Sequence, residues 1–212
     1  MFITAPDGTP IAVSGTELPF PRARVVITHG YAEHSGRYAT LASELTAAGF
    51  ETHAFDLRGH GHSGGVPAHV GHFGQYVDDL QLVIDYIRGR SHVAAPLIVL
   101  GHSLGGLIAL YYARSRSGFE GLVISSPFLR PAFDIPPAKK ALAWGASFIA
   151  PTLPFSNELN PEWLSSDEQV VDEYARDPLV RRTTTPRWFM EVQRAQQKLC
   201  ESAASIRLPL LM

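Results

Sequence analysis

Over the first 127 residues of this 212-residue chain, the apolar positions follow two rhythms that take turns. One is the short continuous run, rich in β-branched or aromatic residues and ending in glycine or a turn: ARVVITHG at 23–30, FETHAFDLRG at 50–59 and APLIVLGHS at 95–103. Such runs predict buried strands. The other is helical. SGRYATLASELTAAG at 35–49 stops on Gly49, and FGQYVDDLQLVIDYIRGR at 73–90 puts Tyr76, Leu80, Val83, Ile84 and Ile87 on one face. Strand alternating with helix implies right-handed crossovers and an α/β fold, a mostly parallel sheet with helices on both faces. Ahead of it, MFITAPDGTPIAVSG predicts an antiparallel edge hairpin turning at Pro6, Asp7 and Gly8. A helix from Ser103 to about Arg116 and a buried strand in GLVISSP at 121–127 continue the pattern.

After residue 127 the rhythm breaks. Residues 128–186 are rich in Pro, Trp and Phe, with short helical pieces and no strand signal, and read as a helical cap inserted over the carboxyl ends of the strands. Within it, Leu142, Ala146 and Ile149 form one apolar row and Ala141, Trp144 and Phe148 another, wider than burial against one surface requires. The stripe fits a fully buried helix, or a lid whose second face meets an acyl chain or a membrane surface. Residues 187–212 return to the core, with a long helix at 187–206 and IRLPLLM opening one more buried strand. The organisation expected is a core at 1–127, a cap at 128–186 and an incomplete return at 187–212.

Charge and composition narrow the function. With 18 basic and 20 acidic residues spread without long runs, the chain offers no footprint for nucleic acid. The most apolar stretch, 141–155, is too short and too proline-broken to span a bilayer, so membrane contact is left to the surface of the cap. A single cysteine, Cys200, and no charged-then-apolar leader predict a reducing, cytoplasmic setting, with membrane association left open. Cys200 itself lies in a helical pattern and is expected to be a buried structural residue. Oligomeric state is not legible.

The chemistry lies at the ends of the predicted strands. Gly101-His102-Ser103-Leu104-Gly105 matches G-x-S-x-G between an apolar strand and an apolar helix, the context of a nucleophile elbow. An acyl-transfer site also needs two backbone N–H groups aimed at the oxyanion, and Leu104 with Tyr31, in the His29-Gly30-Tyr31 turn after the first parallel strand, would supply them. His60, His62, His69 and His72 invite a zinc reading, but no carboxylate or thiol spacing completes a tetrahedral site; no metal and no cofactor is expected.

THGYAEHSGRY, FDLRGHGHSGG and GHSLGG, in this order, with SSPFLRPAF and NPEWLSSD further on, resemble the monoacylglycerol lipase and lysophospholipase branch of the α/β-hydrolases. The resemblance implies a serine esterase cleaving a small lipid ester through an acyl-Ser103 intermediate. It also implies Tyr31 and Leu104 as oxyanion donors, and Glu33 and Arg37 near the polar end of the substrate; an ion pair that only braces the loop is the competing role for the last two. Thioesterases, acyltransferases and some peptidases share these motifs. A catalytically silent protein that binds lipid or a partner is the rival reading.

The chain order in an α/β-hydrolase is serine, acid, histidine. All nine histidines here, at 29, 34, 53, 60, 62, 69, 72, 92 and 102, precede Ser103. The expectation is therefore a truncated hydrolase with its last strand or strands missing, or a short inactive relative, lacking the acid and base in either case. Were the chain active alone, His29 or His60 would be the first bases to test.

Overall fold

The computed structural model describes residues 1–90, 93–131 and 136–212. The candidate histidine His92 and part of the SSPFLRPAF stretch lie outside the described residues. Strands β1 (Phe2–Thr4) and β2 (Pro10–Thr16) form the antiparallel hairpin that Pro6, Asp7 and Gly8 predict. β2 then pairs antiparallel with β4 (Phe50–Phe55), and β4 runs parallel to β3 (Ala23–Thr28). β3 in turn flanks β5 (Leu97–His102), and β5 flanks β6 (Gly121–Ser125), all parallel. The seven-stranded order is β1-β2-β4-β3-β5-β6-β9, the last strand being Leu210–Leu211 beside β6.

Helix α1 (Ala39–Ala47) follows a 3-10 turn at Ser35–Tyr38 and ends before Gly49, which sits at φ +88° as a helix stop requires. In α2 (Gly74–Arg90), Tyr76, Leu80, Val83, Ile84 and Ile87 are all buried, the face that the 3.6-residue period predicts. α3 (Leu104–Ala113) is shorter than expected but apolar almost all round, and buried for that reason. α2, α3 and the sheet share one core, to which Trp188, Val192, Ala195 and Leu199 of α6 (Pro186–Ser202) also belong, while Ala42 and Leu45 of α1 cover a second, smaller cluster of Val25, Ile27 and Ala54.

Between β6 and α6 lie α4 (Pro137–Ile149), α5 (Glu168–Arg176) and a two-stranded ribbon of β7 (Phe155–Ser156) with β8 (Thr183–Thr184). The ribbon corrects the strand-free expectation for 128–186; two-residue strands carry no periodicity to detect. The buried-helix reading of α4 is also wrong. It lies along α6, yet Leu142, Trp144, Phe148 and Ile149 are 75%, 56%, 56% and 88% exposed. Two smaller corrections follow, one from helix phase and one from sheet position. Cys200 is exposed because the buried face of α6 runs through Leu199 and leaves the next residue outside. β9 is exposed because it has a neighbour on one side only. Among the described residues no helix is long and apolar enough to cross a membrane.

Candidate active site

Ser103 sits where β5 stops and α3 starts, with φ +49° and ψ −113°, a conformation a residue with a side chain enters only under constraint. The constraint is the packing of its neighbours. A Cβ at Gly105 would collide with the Thr28 carbonyl oxygen and lie 2.6 Å from that of His29, and one at Gly101 would lie 2.6 Å from the Gly105 carbonyl oxygen. Bare backbone at both positions lets α3 start hard against β3 and β5. The turn is then pinned by Ser103 N–H to Ser125 O at 3.0 Å and Phe128 N–H to Ser103 O at 2.9 Å.

The loop after β3 comes to the same place. A Cβ on Gly30 would be 3.2 Å from Ser103 Cβ, so the Gly30-Tyr31 peptide lies against the serine. Among the described residues, nothing accepts a hydrogen bond from the Tyr31 or the Leu104 backbone N–H. Two unspent donors thus flank a strained serine. Glu33 Oε1 accepts from Gly30 N–H at 2.6 Å and from the Tyr38 hydroxyl at 2.7 Å, while its Oε2 lies 3.3 Å from Arg37 Nε. Every oxygen of Glu33 is used within the loop. The Arg37 guanidinium lies over the Tyr174 ring at 4.9 Å.

The histidines go elsewhere. His102, next to the serine, has Nδ1 3.2 Å from the Ser125 hydroxyl. His29 is buried with both ring nitrogens committed: Nε2 accepts from Leu57 N–H at 2.9 Å, so Nδ1 donates to Gly30 O at 2.7 Å. Burial holds its pKa below the ordinary value. It is a strut under the loop, and the expectation that it could stand in as base fails on this geometry. His60 is buried too, its Nδ1 3.0 Å from Arg58 O and its Nε2 without a partner. Burial, then the neighbouring His29, push it down to about 3. A ring so reluctant to take a proton is no general base at neutral pH. His69 bonds to Thr185, and among the described residues no three His, Cys, Asp or Glu side chains are gathered as metal ligands.

Below the site, Asp56 directly follows β4 and receives the amides of Ser35 at 2.8 Å and His62 at 2.7 Å. Burial alone would raise its pKa, but those bonds outweigh it and hold the carboxylate below its usual range. Arg58 forks onto buried Asp79 with two 2.6 Å bonds and reaches Asp7 with a third. These ties fix the 56–64 loop, whose His60 ring stands 6.0 Å from Tyr31, centroid to centroid. No local pattern marks the contacts that residues 177–184 make here, since they join positions more than a hundred residues apart. His34 Nε2 meets Asp177 at 2.7 Å, Arg181 N–H bonds to Ala32 O at 2.8 Å, and the Tyr31 hydroxyl bonds to Thr183 O at 3.2 Å.

The family model described as serine aminopeptidase, S33, matches residues 19–212, the whole of this sheet and site beyond the first hairpin. The chain belongs to this α/β-hydrolase family. Within it, the chain falls in the monoacylglycerol lipase-like branch. It is 36% identical over 194 residues to a monoacylglycerol lipase of Mycolicibacterium smegmatis, covering 91% of this chain and 69% of that one. A phospholipase of Bacillus subtilis is 29% identical over 195 residues, with 91% and 74% covered. The crystal structure of Paleococcus ferrophilus monoacylglycerol lipase superposes with a TM-score of 0.83 at 33% identity, covering 94% of this chain and 75% of that one. Membership places this α/β-hydrolase in the carboxylic ester hydrolase class.

Proposed function

We propose that this α/β-hydrolase cleaves a monoacylglycerol- or lysophospholipid-type ester, with Ser103 as nucleophile and the amides of Tyr31 and Leu104 as the oxyanion hole. The observation that carries the reading is the strained Ser103 flanked by two backbone donors without acceptors. A site built to stabilise an oxyanion holds its donors unspent and fixed before substrate arrives. The lipase and phospholipase names of the relatives support a lipid ester as the class of substrate. Arg37, whose terminal nitrogens have no acceptor among the described residues, is assigned the polar end of that substrate, and Glu33 the bracing of the loop. Residues 128–186 act as a cap in this reading. Its exposed α4 row meets the acyl chain or the lipid surface that presents it.

This reading requires an acid and a histidine that these 212 residues do not bring to Ser103: no histidine follows it, and its hydroxyl has no hydrogen-bond partner among the described residues. That same observation favours a second reading, a silent hydrolase-fold protein that binds lipid without turning it over. A fluorophosphonate probe separates the two. Covalent modification of Ser103, abolished by Ser103→Ala, is expected in the longest form of the protein that its gene encodes. A folded protein whose Ser103 resists the probe would leave only the silent reading.

A further inference from the structure

The loop that presents the Tyr31 amide is not held by the core alone. Ala32 is fully buried at φ +65°, a left-handed conformation that alanine does not keep without outside support. That support comes from residues 177–183, the stretch linking α5 to β8. Arg181 N–H bonds to Ala32 O at 2.8 Å, two peptides beyond the proposed oxyanion donor. The Tyr31 hydroxyl bonds to Thr183 O at 3.2 Å, and His34 is tied to Asp177 at 2.7 Å. Three of four consecutive loop residues are thus gripped by one strap.

The Arg181 side chain extends the grip. Its guanidinium has no carboxylate partner among the described residues; Nε donates to Gly59 O at 3.2 Å and Nη2 to Gly61 O at 3.4 Å. These two carbonyls flank His60, whose ring leans edge-on against Tyr31. A cation spent on two backbone oxygens locks a turn rather than neutralising a charge. On its other face the Tyr31 ring stacks on Trp188 at 4.2 Å. The strap therefore holds the Tyr31 side chain through Thr183 and, by way of Arg181, braces the His60 turn beside it, while the Trp188 stack and the core hold it from below.

The geometry points to Arg181 as a positioning residue: through the strap it sets the Tyr31 amide as an oxyanion donor, so that docking of the cap completes the active site. This rests on the reading of Tyr31 as an oxyanion donor. It makes the cap more than a cover for substrate. When residues 177–183 are seated, Ala32 is held in its strained form and the donor is aimed; when they lift, the loop is free to relax and the donor is lost.

The test uses the longest form that the gene encodes, as wild type, Arg181→Met, Arg181→Lys and Tyr31→Phe. The strap should affect the chemical step and not ground-state binding. Arg181→Met is expected to lower kcat and the rate of Ser103 modification by a fluorophosphonate at least about tenfold, with KM for a soluble short-chain ester within about twofold. Arg181→Lys should recover part of that loss. Tyr31→Phe, which loses only the hydroxyl bond to Thr183, should act in the same direction. Combined with Arg181→Met it should cost less than the product of the two, because both release one loop. Thermal unfolding of each variant checks the fold, and faster amide exchange at residues 30–33 in folded Arg181→Met gives a readout independent of turnover. Wild type that does not react with the probe would overturn the hydrolase reading, and this inference with it. Reactive wild type with kcat, labelling and exchange unchanged in both Arg181→Met and Tyr31→Phe would overturn the inference alone.

Discussion

At the scale of single residues, the site is specified by what cannot be added to it. The Cβ of Gly105→Ala would meet the backbone oxygens of Thr28 and His29, which are fixed in β3 and the turn behind it, so helix and sheet must separate. A loss of at least about 1–3 kcal/mol in denaturant unfolding is expected. Gly145→Ala, mid-helix in α4 with nothing near its Cβ, should instead gain about 0.5–1 kcal/mol. If Gly105→Ala costs no more than Gly145→Ala, the close approach at Ser103 is not what holds the turn. His60 carries a pH signature of its own. Its pKa falls from 6.5 unfolded to about 3 folded, so the unfolded chain binds the proton first. Stability is full above pH 6.5 and declines as pH falls toward about 3. Between pH 6.5 and 5 the carboxylates, with ordinary values near 4, contribute little. Unfolding midpoints in that interval should therefore fall with pH, and His60→Gln should flatten the slope; an unchanged slope would mean that His60 is not held neutral.

At the scale of elements, α4 decides between cap and core. Trp144 and Phe148 pack edge to face at 5.1 Å but are more than half exposed, so truncating them to serine removes little burial. Stability should change by less than about 1 kcal/mol. If the row holds an acyl chain, Trp144→Ser with Phe148→Ser should lower kcat/KM for long-chain esters tenfold or more, by order of magnitude, and leave short soluble esters nearly unaffected, because remote contacts supply binding energy used at the reacting centre. Equal losses on both substrates would argue against an acyl-facing role. The same helix shows what a sequence can reveal. Its double apolar stripe was legible, but whether the second stripe is covered depends on neighbours far along the chain. β3 was legible as a continuous apolar run because both of its faces are buried, and β5 because one face is buried and the other half-buried. β7 and β8 were not, being two residues each and held by partners about thirty positions apart. Ser103 and its glycines announced themselves because a steric requirement leaves a fixed spacing. Asp177 and Arg181 left none, since they act on the loop through one hydrogen bond apiece to a partner no local pattern marks.

At the scale of the whole molecule, these residues assemble a strained turn at Ser103 and two backbone N–H groups without acceptors around a serine hydroxyl with no base within hydrogen-bond reach among the described residues. They span 69% of the length of the Mycolicibacterium smegmatis lipase and 75% of the Paleococcus ferrophilus structure. The sheet carries the same asymmetry as the site. β9 pairs with β6 on one side, and among the described residues no strand lies beyond the apolar edge that the exposed Leu210, Leu211 and Met212 present. An unpaired apolar edge templates association with another chain. Prepared alone, the 212-residue chain should therefore associate with rising concentration in sedimentation velocity, and Leu211→Lys, which puts a charge on that edge, should suppress this. Its esterase turnover should lie about 10⁴-fold or more below that of any longer form that brings an acid and a histidine to Ser103, since only the proposed oxyanion hole and binding would act without them. Assaying both forms on one ester checks the argument at site and sheet together. Robust turnover by the 212 residues alone, lost in Ser103→Ala, would mean that a histidine before Ser103 moves into reach of it. His102 would then be the first to replace, because it stands beside the serine and its ring is hydrogen-bonded, among the described residues, to the hydroxyl of Ser125 alone.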